Sequence, residues 1–457
     1  MCKRIVLAVL AFIMPAAALH AAAAAKTLAA FNWLPRPDEL QTGANPDGTL
    51  LRDANGALYG TNMVGGQYYN GTVFKLSPPR AGQTDWNLSV IYTFTGGSDG
   101  GLPNPNLVMD ASGAIYGTTE GGGSWTDQGL AYKLTPPEPG KTEWKQTVIH
   151  YFNFSYFDGP GDGTNPSGGL LMDKNGALYG TTDLGGDPND PSGLGAGIIF
   201  KLTPVDAAKT KWEETILYRF HGGADGANPM AVLTLDSAGN LYGTTLYGGN
   251  GGCTDFLSEP LGCGTVFRLA PPAAARNAWT KTTLHHFAGA GEGAFPQAKV
   301  LVGASGALYG TTFQGGIGGC TDMLLNAIGC GIAFELAPPA AGQTAWAKTI
   351  IHTFTGPDGA YPQGGLIADA NGALFGLASG GGPLSYGVVG GYGVLYKLTP
   401  PGFGQTRWAH TSIYEFDITT TGDTPIGELV RDTPGRFYGI ANSGGPGYGG
   451  TVYEIVP

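Results

Sequence analysis

The sequence predicts an all-β fold, a seven-bladed β-propeller of four-stranded antiparallel blades closed by an N-terminal strand that completes the last blade. Three observations support this prediction. A phrase similar to GALYGTT recurs seven times, at spacings of 57 to 67 residues. Each copy stands among four strand-like segments separated by turn residues. The chain ends after the third segment of its last unit, and a spare fourth segment stands near its beginning.

The composition agrees with short strands joined by tight turns. The chain contains 79 glycines, only 13% of its residues are charged, and 42% are hydrophobic. This hydrophobic content excludes general disorder, and the glycines suit many turns. The formal net charge of −11 disfavours nucleic acid or an anionic lipid surface as a partner.

The first 25 residues are typical of a secretory signal peptide. They combine a short basic start, an apolar run and a series of alanines, and cleavage is expected near Ala25. A membrane anchor is the alternative, although Pro15 and the alanines shorten the apolar part. We therefore expect residues 26–457 to form a single propeller in a secreted or periplasmic protein, with no membrane insertion after signal removal.

One repeat unit contains four strand-like pieces. In the first unit these are GTLLRDA, GALYGTN, GTVFKLS and WNLSVIYTF, and Asn-Gly joins the first two, which indicates a hairpin. The third and fourth are joined by a Pro-rich loop, so a unit is expected to be an antiparallel meander. The aromatic residue of the repeated phrase stands at Tyr59, Tyr116, Tyr179, Tyr242, Tyr309, Phe375 and Tyr438.

The two ends of the chain predict a closed ring. The third strand occurs seven times, the last as GTVYEI just before Pro457, but only six complete fourth strands follow a third strand. The segment KTLAAF at 26–31 resembles a fourth strand without its own unit. Pairing this segment with the last unit would fasten the first blade to the last. An open β-solenoid is the alternative.

The repeated pattern Leu-Tyr-Gly-Thr-Thr, then Gly-Gly, then Gly-Thr-Val-Phe-Lys-Leu resembles the GloVer tandem repeat of exported bacterial proteins. The sixth unit departs from it, with Phe375 and Leu377 in place of Tyr and Thr. The resemblance implies export and a repeat fold, but it implies no established activity and no catalytic residues. Members of this family often carry a C-terminal surface anchor, and because none follows the last strand here, release or periplasmic residence is expected.

Four cysteines fall into two matching loops, GGCTDFLSEPLGC and GGCTDMLLNAIGC. In an exported protein we expect the local disulfides Cys253–Cys263 and Cys320–Cys330. A zinc site is the alternative, although no histidine lies near these cysteines in the sequence.

The repeated phrase is predicted to provide shape rather than chemistry. Alternation places its Leu and Tyr on opposite faces of a blade, where both pack, and the following Gly suggests a close approach by the neighbouring blade. The Tyr hydroxyls then need partners. Histidines in the fourth strand alternate with tyrosines at one position, and His150, His285 and His352 belong to different blades, too far apart to share one metal ion.

Acidic residues occupy equivalent positions in five links between blades. Asp-Gly could simply form the turn that enters the next strand. Alternatively, the acids could surround the mouth of the central channel and bind Ca²⁺, the only cofactor that the sequence suggests. These candidate metal ligands are Asp99, Asp162, Asp225, Glu292 and Asp358.

The loops between second and third strands vary most, and they share a face with the links between blades. Aromatic rings beside carboxylates and amides are typical of sugar-binding surfaces. The candidate binding residues in these loops are Tyr68, Tyr69, Trp125, Asp255, Phe256, Asp322 and Tyr386.

No catalytic motif stands out, since HExxH is absent from the sequence. We therefore expect a non-catalytic module that binds polysaccharide or a surface protein through its variable loop face. The alternative is an enzyme that degrades extracellular polysaccharide, a glycoside hydrolase or lyase, with acids at the channel mouth. A purely structural envelope protein is a third hypothesis.

Overall fold

The computed structural model is a seven-bladed β-propeller, as predicted. It describes residues 23–32, 42–123, 128–153, 161–187, 195–254, 259–273, 278–321, 326–382 and 391–457. Within these residues all paired strands are antiparallel and form seven sheets, and no α-helix occurs. The predicted signal peptide lies mostly outside the described residues and stays a prediction.

Each blade runs from an inner first strand to an outer fourth strand. The first strands are Ala44–Arg52 (β2), Gly101–Pro103 with Val108–Met109 (β6 and β7), Leu171–Met172 (β11), Thr234–Leu235 (β15), Leu301–Val302 (β19), Ile367–Ala368 (β23) and Asp423–Arg431 (β27). The second strands are Leu58–Val64 (β3), Ile115–Gly121 (β8), Leu178–Thr182 (β12), Leu241–Thr245 (β16), Leu308–Thr312 (β20), Leu374–Ala378 (β24) and Phe437–Ser443 (β28).

The outer half of each blade follows the same order. The third strands are Thr72–Ser77 (β4), Leu130–Thr135 (β9), Ile198–Pro204 (β13), Thr265–Ala270 (β17), Ile332–Ala337 (β21), Val394–Thr399 (β25) and Tyr448–Val456 (β29). The fourth strands are Asn87–Thr93 (β5), Lys145–Tyr151 (β10), Trp212–Arg219 (β14), Thr280–His286 (β18), Ala347–Thr353 (β22), Ala409–Glu415 (β26) and Ala24–Asn32 (β1). Two 3-10 turns, Gly223–Asp225 and Ala290–Glu292, lie in the links between blades.

The N-terminal strand completes the seventh blade, which confirms the predicted closure. β1 pairs antiparallel with β29, and Lys26 lies opposite Glu454 in this register. Phe31 of β1 is fully buried and its ring packs 5.1 Å from that of Phe74 in the first blade. Because these contacts join the two ends of the chain, closing the ring buries apolar surface as well as strand edges.

The hydrophobic core is divided among the contacts between successive blades. The side chains that alternate along the second and third strands are buried on both faces, as the repeated pattern predicts. Tyrosine and tryptophan rings meet edge to face between blades, as between Tyr116 and Trp212, whose centroids are 5.7 Å apart. The Tyr and Trp positions are therefore part of the core.

The glycine of the repeated phrase is needed for a different reason from the one expected. A Cβ added at Gly60 would lie 2.5 Å from the ring of Phe74, which is its partner across the same blade. Gly180 and Gly310 are covered by Phe200 and Phe334 in the same way. The expectation of close approach by the neighbouring blade is wrong, because the third strand of the same blade covers the glycine.

The tyrosine hydroxyls of the repeated phrase find their partners in the preceding hairpin. Tyr179 donates to the carboxylate of Asp173 over 3.2 Å, and Tyr59, Tyr116 and Tyr242 donate to an Asp six residues earlier in the same way. In the fifth blade, where Gly303 replaces this Asp, Tyr309 contacts Glu335 instead. The prediction that these hydroxyls need partners is confirmed, and the hydrogen bonds they form have a structural role.

Both predicted disulfides are formed. The Cα atoms of Cys253 and Cys263 are 5.1 Å apart, and those of Cys320 and Cys330 are 5.0 Å apart. Disulfides persist in oxidising compartments outside the cytosol, which agrees with an extracellular or periplasmic protein. Separately, among the described residues no helix has the length and apolar character that crossing a membrane requires.

Candidate functional site

The central axis of the propeller contains a cavity of about 470 Å³. This volume lies within the range of small-molecule sites, about 300–1,000 Å³. Residues in or just before the first strands of all seven blades line the cavity, so its composition differs from blade to blade while its walls are fixed by the same backbone. The position after the link proline contributes one residue per blade to the lining, namely Asp47, Asn104, Ser167, Met230, Gln297, Gln363 and Ile426.

The backbone just before this position is held in an unusual conformation in every blade. The residue before the proline has a positive φ, between 53° and 58°, in all seven links: Asn45, Leu102, Asn165, Asn228, Phe295, Tyr361 and Thr424. In five of these links, those of Leu102, Asn165, Asn228, Phe295 and Tyr361, its N–H bonds to a carbonyl just before the third strand of the preceding blade, as from Tyr361 to Cys330 over 2.9 Å. Left-handed non-glycine residues are strained, and here the strain is held by contacts to the preceding blade and fixes the cavity-lining residue that follows.

Two carboxylates line the end of the cavity that is close to the loops between second and third strands, and a third lies beside them. Asp47 lies in the first half of the inner strand of the first blade, and Glu120 is the last but one residue of the second strand of the second blade. Both line the cavity. Asp183 directly follows the second strand of the third blade and is the positional equivalent of Glu120.

Burial raises the pKa of all three carboxyls. Burial raises that of Asp47, against an opposing hydrogen bond from the backbone of Gly48. Burial and the nearby charge of Asp47 raise the pKa of Glu120, and burial and the charge of Glu120 raise that of Asp183 to about 7. Carboxyls with raised pKa values can both donate and accept hydrogen bonds near neutral pH.

Sequence analysis missed these three acids because it followed the positions that repeat. A signal was present in the repeats themselves. At the position of Glu120 and Asp183 the other blades have Met63, Leu246, Phe313, Ser379 and Asn442. An acid at a position that is elsewhere apolar or neutral indicates a local role, because the fold does not require it there.

The far part of the cavity carries two basic residues and one acid. Lys299 Nζ lies 3.1 Å from Glu428 Oε2, and both side chains are partly exposed. Arg52 lines the opposite end from Asp47, since Arg52 is the last residue of the inner strand that contains Asp47. Apart from Lys299, Glu428 and Arg52, the charged lining residues are the acids at the loop end, and the rest are amides, hydroxyls, proline, glycine and apolar side chains.

The five link acids lie elsewhere. Asp99 accepts a hydrogen bond from Tyr92, Asp162 contacts His150, Asp225 accepts from Tyr218 and Asp358 contacts His352, all over 2.9 to 3.0 Å, and Glu292 pairs with Lys348. The alternative in which these acids surround the channel mouth is wrong, because each carboxylate bonds to a side chain of an outermost strand. Ca²⁺ binding by these acids stays a prediction. The structure thus distributes the five acids over five blade interfaces and does not bring them together.

Each of these acids belongs to what we call a rim cluster. A rim cluster contains the Tyr or His of the fourth strand, the link acid that follows it, and the residue two places after the fourth-strand Trp of the next blade. That third residue is Gln146, Glu214, Lys281, Lys348 or His410. Gln146, Lys281 and Lys348 each donate to the backbone carbonyl of the link acid, over 2.5 to 2.7 Å. Rim clusters therefore tie neighbouring blades together.

Electrostatics differ between the rim clusters. Burial raises the pKa of Glu214 to about 7, although the charge of His150 opposes this. Burial raises and hydrogen bonds lower the pKa of Asp358, and the bonds from His352 and Thr355 prevail, which brings it to about 2. Burial and then the charge of His352 lower the pKa of His410 to about 4. The His410 ring is therefore uncharged at neutral pH.

The loop residues chosen from the sequence are only partly described. Tyr68 and Tyr69 are 48% and 64% exposed and do not line the cavity, so their predicted role in binding stays open. Trp125, Asp255, Phe256, Asp322 and Tyr386 lie outside the described residues.

A further exposed tyrosine stands at the position equivalent to Tyr69. Tyr448, in the seventh blade, is 70% exposed and shares the positive φ of Tyr69. The first and seventh blades are neighbours in the closed propeller, so the side chains of Tyr69 and Tyr448 lie on adjacent loops of one face. Comparing GGQYYNGTV with GGPGYGGTV would have found this residue.

The repeats identify the family of the chain. The model of the Gloeobacter/Verrucomicrobia repeat matches residues 21–253 and 110–389, which together span more than half of the sequence. The chain therefore belongs to the Gloeobacter/Verrucomicrobia repeat family, as the GloVer resemblance predicted. None of the curated proteins matches the sequence.

Solved structures show distant similarity. A luciferin-regenerating enzyme matches with 11% identity and a TM-score of 0.40, covering 78% of this chain and 91% of its own. The extracellular domain of a candidate one component system from B. thetaiotaomicron matches with 13% identity and a TM-score of 0.47, covering 90% of this chain and 39% of its own. A gluconolactonase from Xanthomonas campestris matches with 12% identity and a TM-score of 0.37, covering 91% and 87%.

Proposed function

We propose that the protein is a binding module for a neutral or cationic saccharide, whose end enters the central cavity from the loop face. The observation that supports this most is the lining of the cavity. Amides from several blades, hydroxyls and carboxyls with raised pKa values offer donors and acceptors in many directions. Such a lining suits a ligand with many hydroxyl groups.

Charge narrows the class of ligand. The charge of Asp47 helps to raise the pKa of Glu120, the charge of Glu120 helps to raise that of Asp183, and the overall net charge is −11. An anionic sugar would meet repulsion at this end of the cavity, whereas a neutral sugar or an amino sugar would not. Exposed Tyr69 and Tyr448 would add stacking surfaces for sugar units that extend over the loop face.

Titration calorimetry with a panel of neutral, amino and acidic oligosaccharides tests this proposal. We expect Glu120→Gln to weaken binding by about tenfold, since one charge-assisted hydrogen bond contributes about 1.4 kcal/mol or more. Tyr69→Asn and Tyr448→Asn remove a ring while keeping a residue that tolerates positive φ, and they should weaken only the longer ligands. Glu143→Gln, at an exposed site in a loop between third and fourth strands, is the control.

A second function is favoured by one specific observation. Asp47 and Glu120 form a pair of half-buried carboxyls in a cavity, and perturbed pairs of this kind occur in glycoside hydrolases and other acid–base enzymes. Assaying the same panel for product release separates the two functions. Turnover that Asp47→Asn abolishes would make the protein an enzyme, whereas no binding to any saccharide would contradict both functions and leave a surface protein as the ligand to test.

A further inference from the structure

One rim cluster contains the donor atoms of a transition-metal site. His352 and Asp358 come from the fifth blade and its link, and His410 comes from the fourth strand of the sixth blade. One ring nitrogen of each histidine and one carboxylate oxygen all lie within 4.8 Å of one another. Ligands of a tetrahedral Zn²⁺ at about 2.0–2.1 Å stand about 3.3 Å apart, so binding an ion would require the donor atoms to approach one another and the stacked imidazole rings to tilt toward a common point.

The three side chains are held in place by their surroundings. Thr355 donates to Asp358 Oδ1 from its N–H over 2.7 Å and from its hydroxyl over 2.8 Å. The other carboxylate oxygen, Oδ2, lies 3.0 Å from His352 Nε2. The rings of His352 and His410 are stacked with centroids 4.4 Å apart. Hydrogen bonds that orient a ligating carboxylate are typical of metal sites.

A buried nitrogen in this cluster lacks a partner. His410 Nε2 is shielded from solvent and has no hydrogen-bond partner at ordinary distance within the described part of the chain, although the His410 ring also interacts with the backbone of Asp358. Buried polar atoms without partners are rare and are often satisfied by a bound ion or water. The side chains of His352 and Asp358 keep 16% and 25% of their surface exposed, so an ion can reach the cluster from solvent.

The neighbouring rim clusters show that a positive charge fits at this place in the fold. In the cluster of Tyr218, Asp225 and Lys281, the ammonium lies 2.8 Å from the Asp225 carboxylate. In the next cluster, Lys348 pairs with Glu292 in the same way. At His352 and Asp358 the next blade provides an imidazole instead of an ammonium. In two rim clusters the link acid is therefore paired with a lysine. In the cluster of Asp358 the equivalent residue is a histidine, which adds a second nitrogen ligand.

We propose that His352, Asp358 and His410 bind a divalent transition-metal ion of the Zn²⁺ class at the interface of the fifth and sixth blades. Two imidazoles and one carboxylate suit Zn²⁺, Cu²⁺ or Ni²⁺ better than Ca²⁺, which prefers six to eight oxygens. A bound ion would join two blades where other interfaces use a lysine. The interpretation that rim histidines are too far apart holds for His150, His285 and His352, but it overlooked His410.

The proposal excludes two related clusters by their chemistry. His150, Asp162 and Glu214 also lie within 4.8 Å of one another, but this set has one nitrogen and two carboxylates. His285 and Glu292 meet Lys348, whose ammonium occupies the place of a ligand. These clusters serve as internal comparisons, because they share the backbone of the proposed site and differ from it at one or two side chains.

Zn²⁺ binding by the full chain tests the proposal, measured by metal analysis after dialysis and by calorimetry. His410→Lys copies the arrangement of Asp225 with Lys281, so the variant should fold. We expect the wild type to retain one more equivalent of Zn²⁺ than His410→Lys. The affinity of the variant for Zn²⁺ at this site should fall more than 100-fold, since loss of a residue that only hydrogen-bonds to a ligand already costs about 10–100-fold. His352→Tyr, which copies Tyr218, should give the same loss.

A gain-of-site variant and a second ion complete the test. Lys348→His gives the fourth interface the composition of the fifth, next to His285 and Glu292, and should add one equivalent of Zn²⁺. Ca²⁺ should not compete with Zn²⁺ at equal concentration. Equal Zn²⁺ binding by the wild type and His410→Lys would overturn the proposal, as would a wild type that binds none. Cooperative melting of His410→Lys in EDTA, close to that of the wild type in EDTA, would verify the fold of the variant.

Discussion

The acids of the rim clusters and the acids at the cavity differ in how well the fold provides partners for their carboxylates. The rim acids recur in five of the seven links and are satisfied, as Asp225 is by Tyr218 and Lys281. The cavity acids occur where other blades have neutral residues, and burial raises their pKa values. In a repeat protein, an acid that recurs is explained by the fold, whereas an acid that breaks the repeat is a candidate for function.

Glu214 sharpens this distinction. It lies on the rim, yet it stands where other rim clusters have an amide, a lysine or a histidine. Its pKa is raised to about 7, like that of Asp183 in the interior. An unsatisfied carboxyl therefore occurs where a residue departs from the repeat, and its distance from the axis matters less.

The largest expected effect comes from breaking a recurring rim pair. Asp225→Asn leaves the ammonium of Lys281, whose side chain is only 3% exposed, without its carboxylate. An uncompensated buried charge costs about 3 kcal/mol, so we expect the free energy of unfolding in urea to fall by about that amount. Adding Lys281→Gln, which copies Gln146, should restore part of the loss. A loss below about 0.5 kcal/mol would contradict the structural role of this pair.

The second effect is a pH dependence that comes from Asp183. Its pKa in the folded protein is about 7, well above the value of an exposed carboxyl, so the folded state holds a proton that the unfolded state has lost. The stability contributed by this proton is present at low pH and is lost as the pH rises from about 4 to about 7, with a slope of at most about 1.4 kcal/mol per pH unit.

Melting curves between pH 5 and 8 measure this dependence as a difference between proteins. The wild type should lose more stability over this range than Asp183→Asn, which cannot titrate. Asp99→Asn, at a recurring rim acid, should leave the slope unchanged. Parallel curves for the wild type and Asp183→Asn would show that the interior carboxyl is satisfied like those on the rim.

The smallest effect has the opposite sign. Glu120→Gln removes a charge that burial and Asp47 oppose, so we expect the variant to be more stable than the wild type at pH 8 by about 0.5–1 kcal/mol. Chemical denaturation of both proteins at this pH gives the difference. Destabilisation comparable to that of Asp225→Asn would remove the contrast between recurring and non-recurring acids.

Much of the fold could be predicted because a repeat states the same local rule several times. The Asn-Gly bend, the alternation in GALYGTT and the Trp before each fourth strand define the blade, and KTLAAF defines the closure. The cysteine pairs were predictable because each pair lies within one loop. The candidate sites were less predictable, since link acids such as Asp99 were placed at the channel although they bond to the outer strands.

The sequence by itself determined the number of blades, the order of strands in each blade and the fastening of β1 to β29, because these depend on local patterns and on counting repeats. Only the tertiary structure decided that Asp47 and Glu120 share a cavity and that His410 meets His352 and Asp358. These meetings join different blades, and which side chains face one another across an interface depends on the angle and register of packing, which no single repeat encodes.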